Sequence, residues 1–128
     1  MKLETRNLKT INVNTNDLRV GKAPDVLQTR GLGSCVAIAL YDPNCRIGGL
    51  AHISLPAKAD DSPEQNLHKY AGIAVNTLLR IMQQRGAVRI STIAKIVGGG
   101  NMFTFDPEPH DDIGRLNVAA VRDILNQN

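Results

Sequence analysis

Apolar positions recur along this chain in two rhythms, and the switches between them mark its elements. Between Thr29 and Pro56 two runs of small, β-branched and aliphatic residues flank Asp42-Pro43-Asn44-Cys45, a pattern that predicts a β-hairpin with turn chemistry at its tip. Asp17 to Val20 and Val26 to Thr29 are shorter strand candidates around a turn from Gly21 to Pro24. Val88, Ile90, Thr92, Ala94 and Ile96 alternate with Arg89, Ser91 and Lys95, which predicts a strand from Val88 to Val97 ended by Gly98-Gly99-Gly100. Helical spacing replaces alternation in Leu67, Tyr70, Ala71, Ala74, Val75, Leu78, Ile81 and Met82, so a helix is expected from about Asn66 to Arg85, with Gly86 as its C-cap glycine. A last helix follows an N-cap at Asp112, with Ile113, Leu116, Asn117, Ala120, Val121, Ile124 and Leu125 along one side. Residues 1–16 read as a loosely held arm or an edge strand, 57–65 as a polar loop, and 103–111, with Pro107 and Pro109, as an exposed loop. This order of elements implies one α/β or α+β domain over residues 1–128, a sheet covered by helices.

The hairpin brings candidate chemistry together. With Pro43 and Asn44 as a two-residue loop, Leu40 faces Ile47, Ile38 faces Gly49, Val36 faces Ala51, and Cys35 faces His52. A type I turn with a bulged residue is the alternative, because Pro43 cannot supply the positive φ of a type I′ turn. Directly opposed residues have Cβ atoms about 4.5–5.5 Å apart, within reach of a thiol–imidazole interaction, the minimum for thiolate nucleophilic catalysis. Gly31-Leu32-Gly33-Ser34 lies just before the thiol, where glycines let backbone N–H groups of Ser34 and Cys35 converge as a candidate oxyanion hole. His52 is the candidate base that lowers the thiol pKa and protonates a leaving group. The bland alternatives are an ordinary buried cysteine and a satisfied core histidine. A histidine base commonly needs a third group to fix its tautomer, and residue physics alone does not choose among Thr29, Asp42 and Asn101.

Composition narrows the field. With 42% hydrophobic residues in 128 the chain is globular, and 3% aromatics without tryptophan make the core aliphatic and leave no stacking platform for single-stranded nucleic acid. A formal charge of +3 favours acidic partners mildly, but Lys and Arg are scattered, so nucleic-acid binding is not expected. No run approaches the ~20 apolar residues of a membrane span, and MKLETRNLKT lacks the apolar region of a signal peptide. A cytoplasmic protein without membrane insertion is expected. Cys35 and Cys45 lie at opposite ends of a strand, beyond the ~7 Å limit for a disulfide, and are expected to be free thiols, Cys45 an incidental one. His68 and His110 read as surface residues; the scattered histidines and cysteines have no metal-ligand spacing, so neither metal nor cofactor is expected. Gly98-Gly99-Gly100 lacks the order of a nucleotide-binding loop.

Gly31-Leu32-Gly33-Ser34-Cys35-Val36 followed by Gly49-Leu50-Ala51-His52-Ile53-Ser54-Leu55-Pro56 resembles the signature of the CheD family, chemoreceptor glutamine deamidases of chemotaxis. Lys69-Tyr70-Ala71, the stretch from Ala94 to Phe103, and Ile113-Gly114-Arg115-Leu116-Asn117-Val118 are similar to later motifs of that family in the same order. The resemblance implies a β-sandwich-like mixed-sheet core flanked by helices, and hydrolysis of a glutamine side-chain amide in the cytoplasmic helices of a chemoreceptor. It implies Cys35 as nucleophile, His52 as base, and Thr29 as the residue orienting the base through its hydroxyl or its carbonyl. A CheC-type phosphatase is the implied regulatory partner. Family members usually continue past the last helix with further strands, so the chain is expected to lack them or to be a short member. Another cysteine amidohydrolase, protease or transglutaminase-like, and a non-catalytic module that binds a phosphatase remain alternatives. For Met102 and Phe103, one reading tucks Phe103 into the core behind a tight strand exit, and the other presents both residues beside the site to a partner helix.

Overall fold

The computed structural model describes residues 8–56, 70–100 and 113–127. Six strands, β1 (Thr10–Asn12), β2 (Leu18–Lys22), β3 (Val26–Gln28), β4 (Val36–Asp42), β5 (Ile47–Ile53) and β6 (Ile93–Gly98), combine with helices α1 (Ala71–Gln84) and α2 (Ile113–Gln127). The strands form a four-stranded antiparallel sheet in the order β2-β5-β4-β6 and a two-stranded parallel sheet of β1 and β3. This is the mixed α+β, sandwich-like arrangement expected from the sequence.

Alternation along the central hairpin divides the core in two. Val36, Ile38 and Leu40 of β4 pack with Ile47, Ala51 and Ile53 of β5 against Ala74, Val75, Leu78 and Met82 of α1. Each fully buried aliphatic side chain of this kind stabilises the fold by about 1.5–3 kcal/mol, so this helix face is the main source of cohesion. On the other face, Ala37 and Leu50 pack with Val13, Leu27 and Leu32, which brings the small sheet and the bend before β4 over the large one. α2 packs on α1 and on β4 and β6.

The hairpin register differs from the expected one by two residues. Asp42 pairs with Ile47, Leu40 with Gly49, Ile38 with Ala51, Ala37 with His52 and Val36 with Ile53. Residues 43–46 therefore form a longer loop, closed by the Arg46 N–H donating to the Asp42 carbonyl at 2.8 Å with Arg46 at φ 61°. The Asp42 carboxylate also accepts the Asn44 N–H at 3.0 Å, which stabilises the wider turn.

Two other boundaries move. Tyr70 is extended and bridges Leu55 in parallel, so α1 begins at Ala71 and not near residue 66. The expected strand from Val88 starts as a 3-10 turn at Arg89–Ser91, and β6 begins only at Ile93. Ser91 and Thr92 hydroxyls both donate to the Val88 carbonyl, and such local bonds compete with a ladder. Ile90 is 95% exposed, so its place in the alternating pattern reflected no buried face.

Candidate functional site

Cys35 lies one residue ahead of the first rung of the β4–β5 ladder, so the bend that precedes it fixes its position. Gly31 and Gly33 take φ of 67° and 49°, left-handed values that let the chain turn sharply into β4. The Cys35 N–H donates to the Leu32 carbonyl at 2.6 Å within this bend. From outside it, the Gly99 N–H donates to the Cys35 carbonyl at 2.8 Å and the Gly100 N–H to the Gly33 carbonyl at 2.9 Å. A side chain at Gly98 would run into that Cys35 carbonyl, and one at Gly99 into Val118 of α2. The glycine run is thus a backbone clamp on the bend, which the sequence reading of a tight strand exit captured only in part.

His52 sits on β5 opposite Ala37, completely buried. Its backbone is held on both sides: the N–H donates to the Asp17 carbonyl at 3.0 Å, and the carbonyl accepts the Asn16 N–H at 2.8 Å. Cys35 is therefore not directly opposite His52, as the expected register had it. It lies diagonally, on the side of the sheet that Ala37 and His52 share, because a shift of two residues preserves the face where a shift of one would not. Diagonal neighbours are about 7–8 Å apart at Cα and nearer at Cβ.

The histidine tautomer follows from a proton count. Thr29 Oγ1 lies 2.7 Å from the Val13 carbonyl and 2.8 Å from His52 Nδ1. A carbonyl only accepts, so the single hydroxyl proton goes to Val13 and the hydroxyl oxygen must accept from Nδ1–H. Nε2 is then the basic nitrogen of the neutral ring. It is buried and has no hydrogen-bond partner among the described residues, Cys35 included.

Burial pushes the Cys35 thiol up from its ordinary value and the His52 imidazolium down. Both shifts favour the uncharged forms, the thiol and the neutral imidazole. Burial is the leading influence on both groups, and no hydrogen bond joins them.

Of the other residues singled out, Asp42 lies at the far end of the hairpin, where its carboxylate accepts the Val88 N–H at 2.7 Å. It ties two loops together and takes no part in orienting His52. Cys45 is a free thiol in the turn. Asn101, Met102, Phe103, His68 and His110 lie outside the described residues. Sequence reasoning missed Asn117, whose amide Nδ2 lies 3.0 Å from the Ser34 carbonyl and 3.1 Å from the Ser54 carbonyl. Its signal was a polar residue in the apolar stripe of α2.

An α+β domain that sets a thiol and a tethered, buried imidazole on one sheet face has the parts of a thiol-dependent amide hydrolase. Comparison with known proteins gives the family. Residues 54–128 match the model of CheD, described as chemotactic sensory transduction. A protein of Clostridium novyi (strain NT), named probable chemoreceptor glutamine deamidase CheD, is 43% identical over 122 residues, covering 94% of this chain and 75% of that protein. Proteins of the same name from Clostridium botulinum, strains Hall and Okra, are 45% identical over 121 residues, again 94% and 75% of the respective chains. The chain belongs to the CheD family.

Proposed function

We propose that this chain hydrolyses glutamine side-chain amides of chemoreceptors to glutamate, with Cys35 as nucleophile, His52 as general base and acid, and Thr29 as the residue that orients His52. Family membership supports the reaction and substrate. The observation that carries the mechanism is the bond between Thr29 Oγ1 and His52 Nδ1, which leaves a bare, buried Nε2 on the sheet face of Cys35.

The steps follow from two neutral groups. As the carboxamide approaches, Nε2 takes the thiol proton and sulfur attacks the amide carbon, giving a tetrahedral oxyanion. Charge forms only during attack, so the buried site bears no ion pair at rest. Backbone N–H groups at the bend, Ser34 and Cys35, receive the oxyanion; the Cys35 N–H already donates to Leu32 and would share or exchange that bond. Collapse expels ammonia, protonated by Nε2–H, and leaves a thioester. Nε2 then deprotonates water, which attacks the thioester and releases glutamate and the Cys35 thiol. One water is consumed and one ammonia released for each glutamine converted.

In the same proposal the reaction takes place in the cytoplasm, a compartment in which two free thiols persist. Among the described residues, no helix is long and apolar enough to cross a membrane. A CheC-type phosphatase is assigned as regulatory partner, and Met102 and Phe103 as residues presented to a partner helix; Phe103→Glu should weaken partner binding in a titration while the domain stays folded. The mechanism is tested by ammonia release from a glutamine-bearing receptor fragment without chain cleavage. Cleavage of the fragment, or incorporation of an added amine in place of hydrolysis, would mark a different amidohydrolase.

A further inference from the structure

A strand ladder satisfies carbonyls only as far as its pairing runs. β4 and β5 pair to Val36↔Ile53, so Ser34 and Ser54 lie beyond the last rung. Their carbonyls are bonded from outside the sheet, both by the Asn117 amide of α2, at 3.0 and 3.1 Å. One side chain thus gives both its protons to two strands at the point where the ladder stops. Asn117 is fully buried, and its Oδ1 has no hydrogen-bond partner among the described residues. A buried acceptor left without a partner is costly, and alanine or leucine would avoid that cost in an otherwise apolar stripe. What the amide supplies in return is a fixed separation of Ser34 from Ser54.

That separation matters because Ser34 immediately precedes Cys35 and Ser54 lies two residues after His52. The Gly99 and Gly100 N–H groups hold the Cys35 and Gly33 carbonyls from the β6 side. Of these three bend carbonyls, among the described residues, the one of Ser34 is tied through Asn117 to the end of the strand that bears His52. Gly114, one turn earlier on α2, packs so closely on Gly99 and Gly100 that a side chain there would strike their carbonyls, so the helix is seated firmly at this end of the sheet.

We propose that Asn117 is a positioning residue for the deamidation reaction, holding Cys35 in register with His52 from behind the sheet through the carbonyls of Ser34 and Ser54. This rests on the Cys35/His52 reading given above. Asn117 is fully buried behind the sheet, so its loss acts on the geometry of attack and lowers kcat while leaving KM nearly unchanged.

The test is steady-state ammonia release from a receptor fragment by the full chain and its variants, at a temperature where each is folded by circular dichroism. Asn117→Ala should lower kcat about 10–100-fold, the scale of an ångström-sized misplacement, with KM nearly constant. Asn117→Ser, which keeps one donor, should lose less. Val121→Ala on the same helix removes fully buried apolar volume without touching either carbonyl, and should lower the melting temperature yet keep kcat. Wild-type kcat in Asn117→Ala, or an equal loss in Val121→Ala, overturns the proposal; should Asn117→Ala fail to fold, Asn117→Ser is judged by the same two results. An active Cys35→Ala would overturn the parent reading and this one with it, whereas an inactive Cys35→Ala beside a fully active Asn117→Ala overturns only the role of Asn117.

Discussion

Thr29 Oγ1 accepts a hydrogen bond from His52 Nδ1 at 2.8 Å while giving its own proton to the Val13 carbonyl at 2.7 Å. One hydroxyl therefore fixes both the ring plane of His52 and the nitrogen that is free to act. Thr29→Val, which keeps the shape and removes the acceptor, should strand a buried Nδ1–H, lower stability by about 1–3 kcal/mol, and let the other tautomer compete. Thr29→Ser should retain most turnover. Melting curves and ammonia-release rates of the two variants check this, and equal rates in both would remove Thr29 from the mechanism.

The neutral resting pair sets the pH dependence. Burial lowers the His52 pKa below 6.5 and raises that of Cys35 above 9.0. The rate should therefore be flat between these values, fall on the acid side only below 6.5 as Nε2 is protonated, and fall on the alkaline side only above 9.0. The stability linkage has the same sign at the acid end. The unfolded chain takes up the histidine proton first, so the His52 contribution to stability is lost as pH drops from 6.5 toward the lower folded value. His52→Ala should lose roughly 10²–10⁴-fold in turnover and remove the acid limb. An acid limb centred above 6.5 would contradict a buried neutral base.

Asp42 separates stability from catalysis. The Val88 N–H, the leading influence, holds its carboxyl below the ordinary 3.8, with the Asn44 N–H adding to the effect. Its stabilising contribution is present above 3.8 and is lost as pH falls through the depressed folded value. Asp42→Ala should lower the melting temperature at neutral pH, and the difference from wild type should shrink in strong acid. Its kcat should match wild type, since the residue lies at the other end of the hairpin from Cys35.

Gly99 ties the clamp to the nucleophile. Its φ of 75° suits glycine, and a Cβ there would lie 2.9 Å from the Gly114 carbonyl and overlap Val118. Gly99→Ala should cost roughly 1–3 kcal/mol from the left-handed backbone alone. Because the Gly99 N–H holds the Cys35 carbonyl, its kcat should fall further than in a variant of equal stability elsewhere in the core, such as Leu79→Ala.

The sequence made much of this site legible, for reasons particular to each residue. Cys35 and His52 were recoverable because strand parity alone puts them on one face, and the two-residue difference in register left parity untouched. The register itself depended on the loop, where Arg46 adopts a left-handed conformation that a glycine or asparagine would have announced and an arginine does not. Family resemblance proposed Thr29, but only the geometry shows that its hydroxyl is the contact. The 3-10 turn at Arg89–Ser91 was hidden because Val88 and Ile90 imitate alternation while Asp42, distant in sequence, captures the Val88 N–H. Asn117 was visible as a polar interruption of an apolar stripe, yet its role needs the strand ends that only the folded chain brings to it.

The central claim is that Cys35 performs the hydrolysis. A chemoreceptor fragment incubated with the wild-type chain, with Cys35→Ala or with Cys45→Ala, and followed by intact mass and released ammonia, tests it most directly. Wild type and Cys45→Ala should convert glutamine to glutamate with one ammonia released per site and no cleavage of the fragment, while Cys35→Ala should leave it unchanged. Conversion at the wild-type rate by Cys35→Ala would contradict the account.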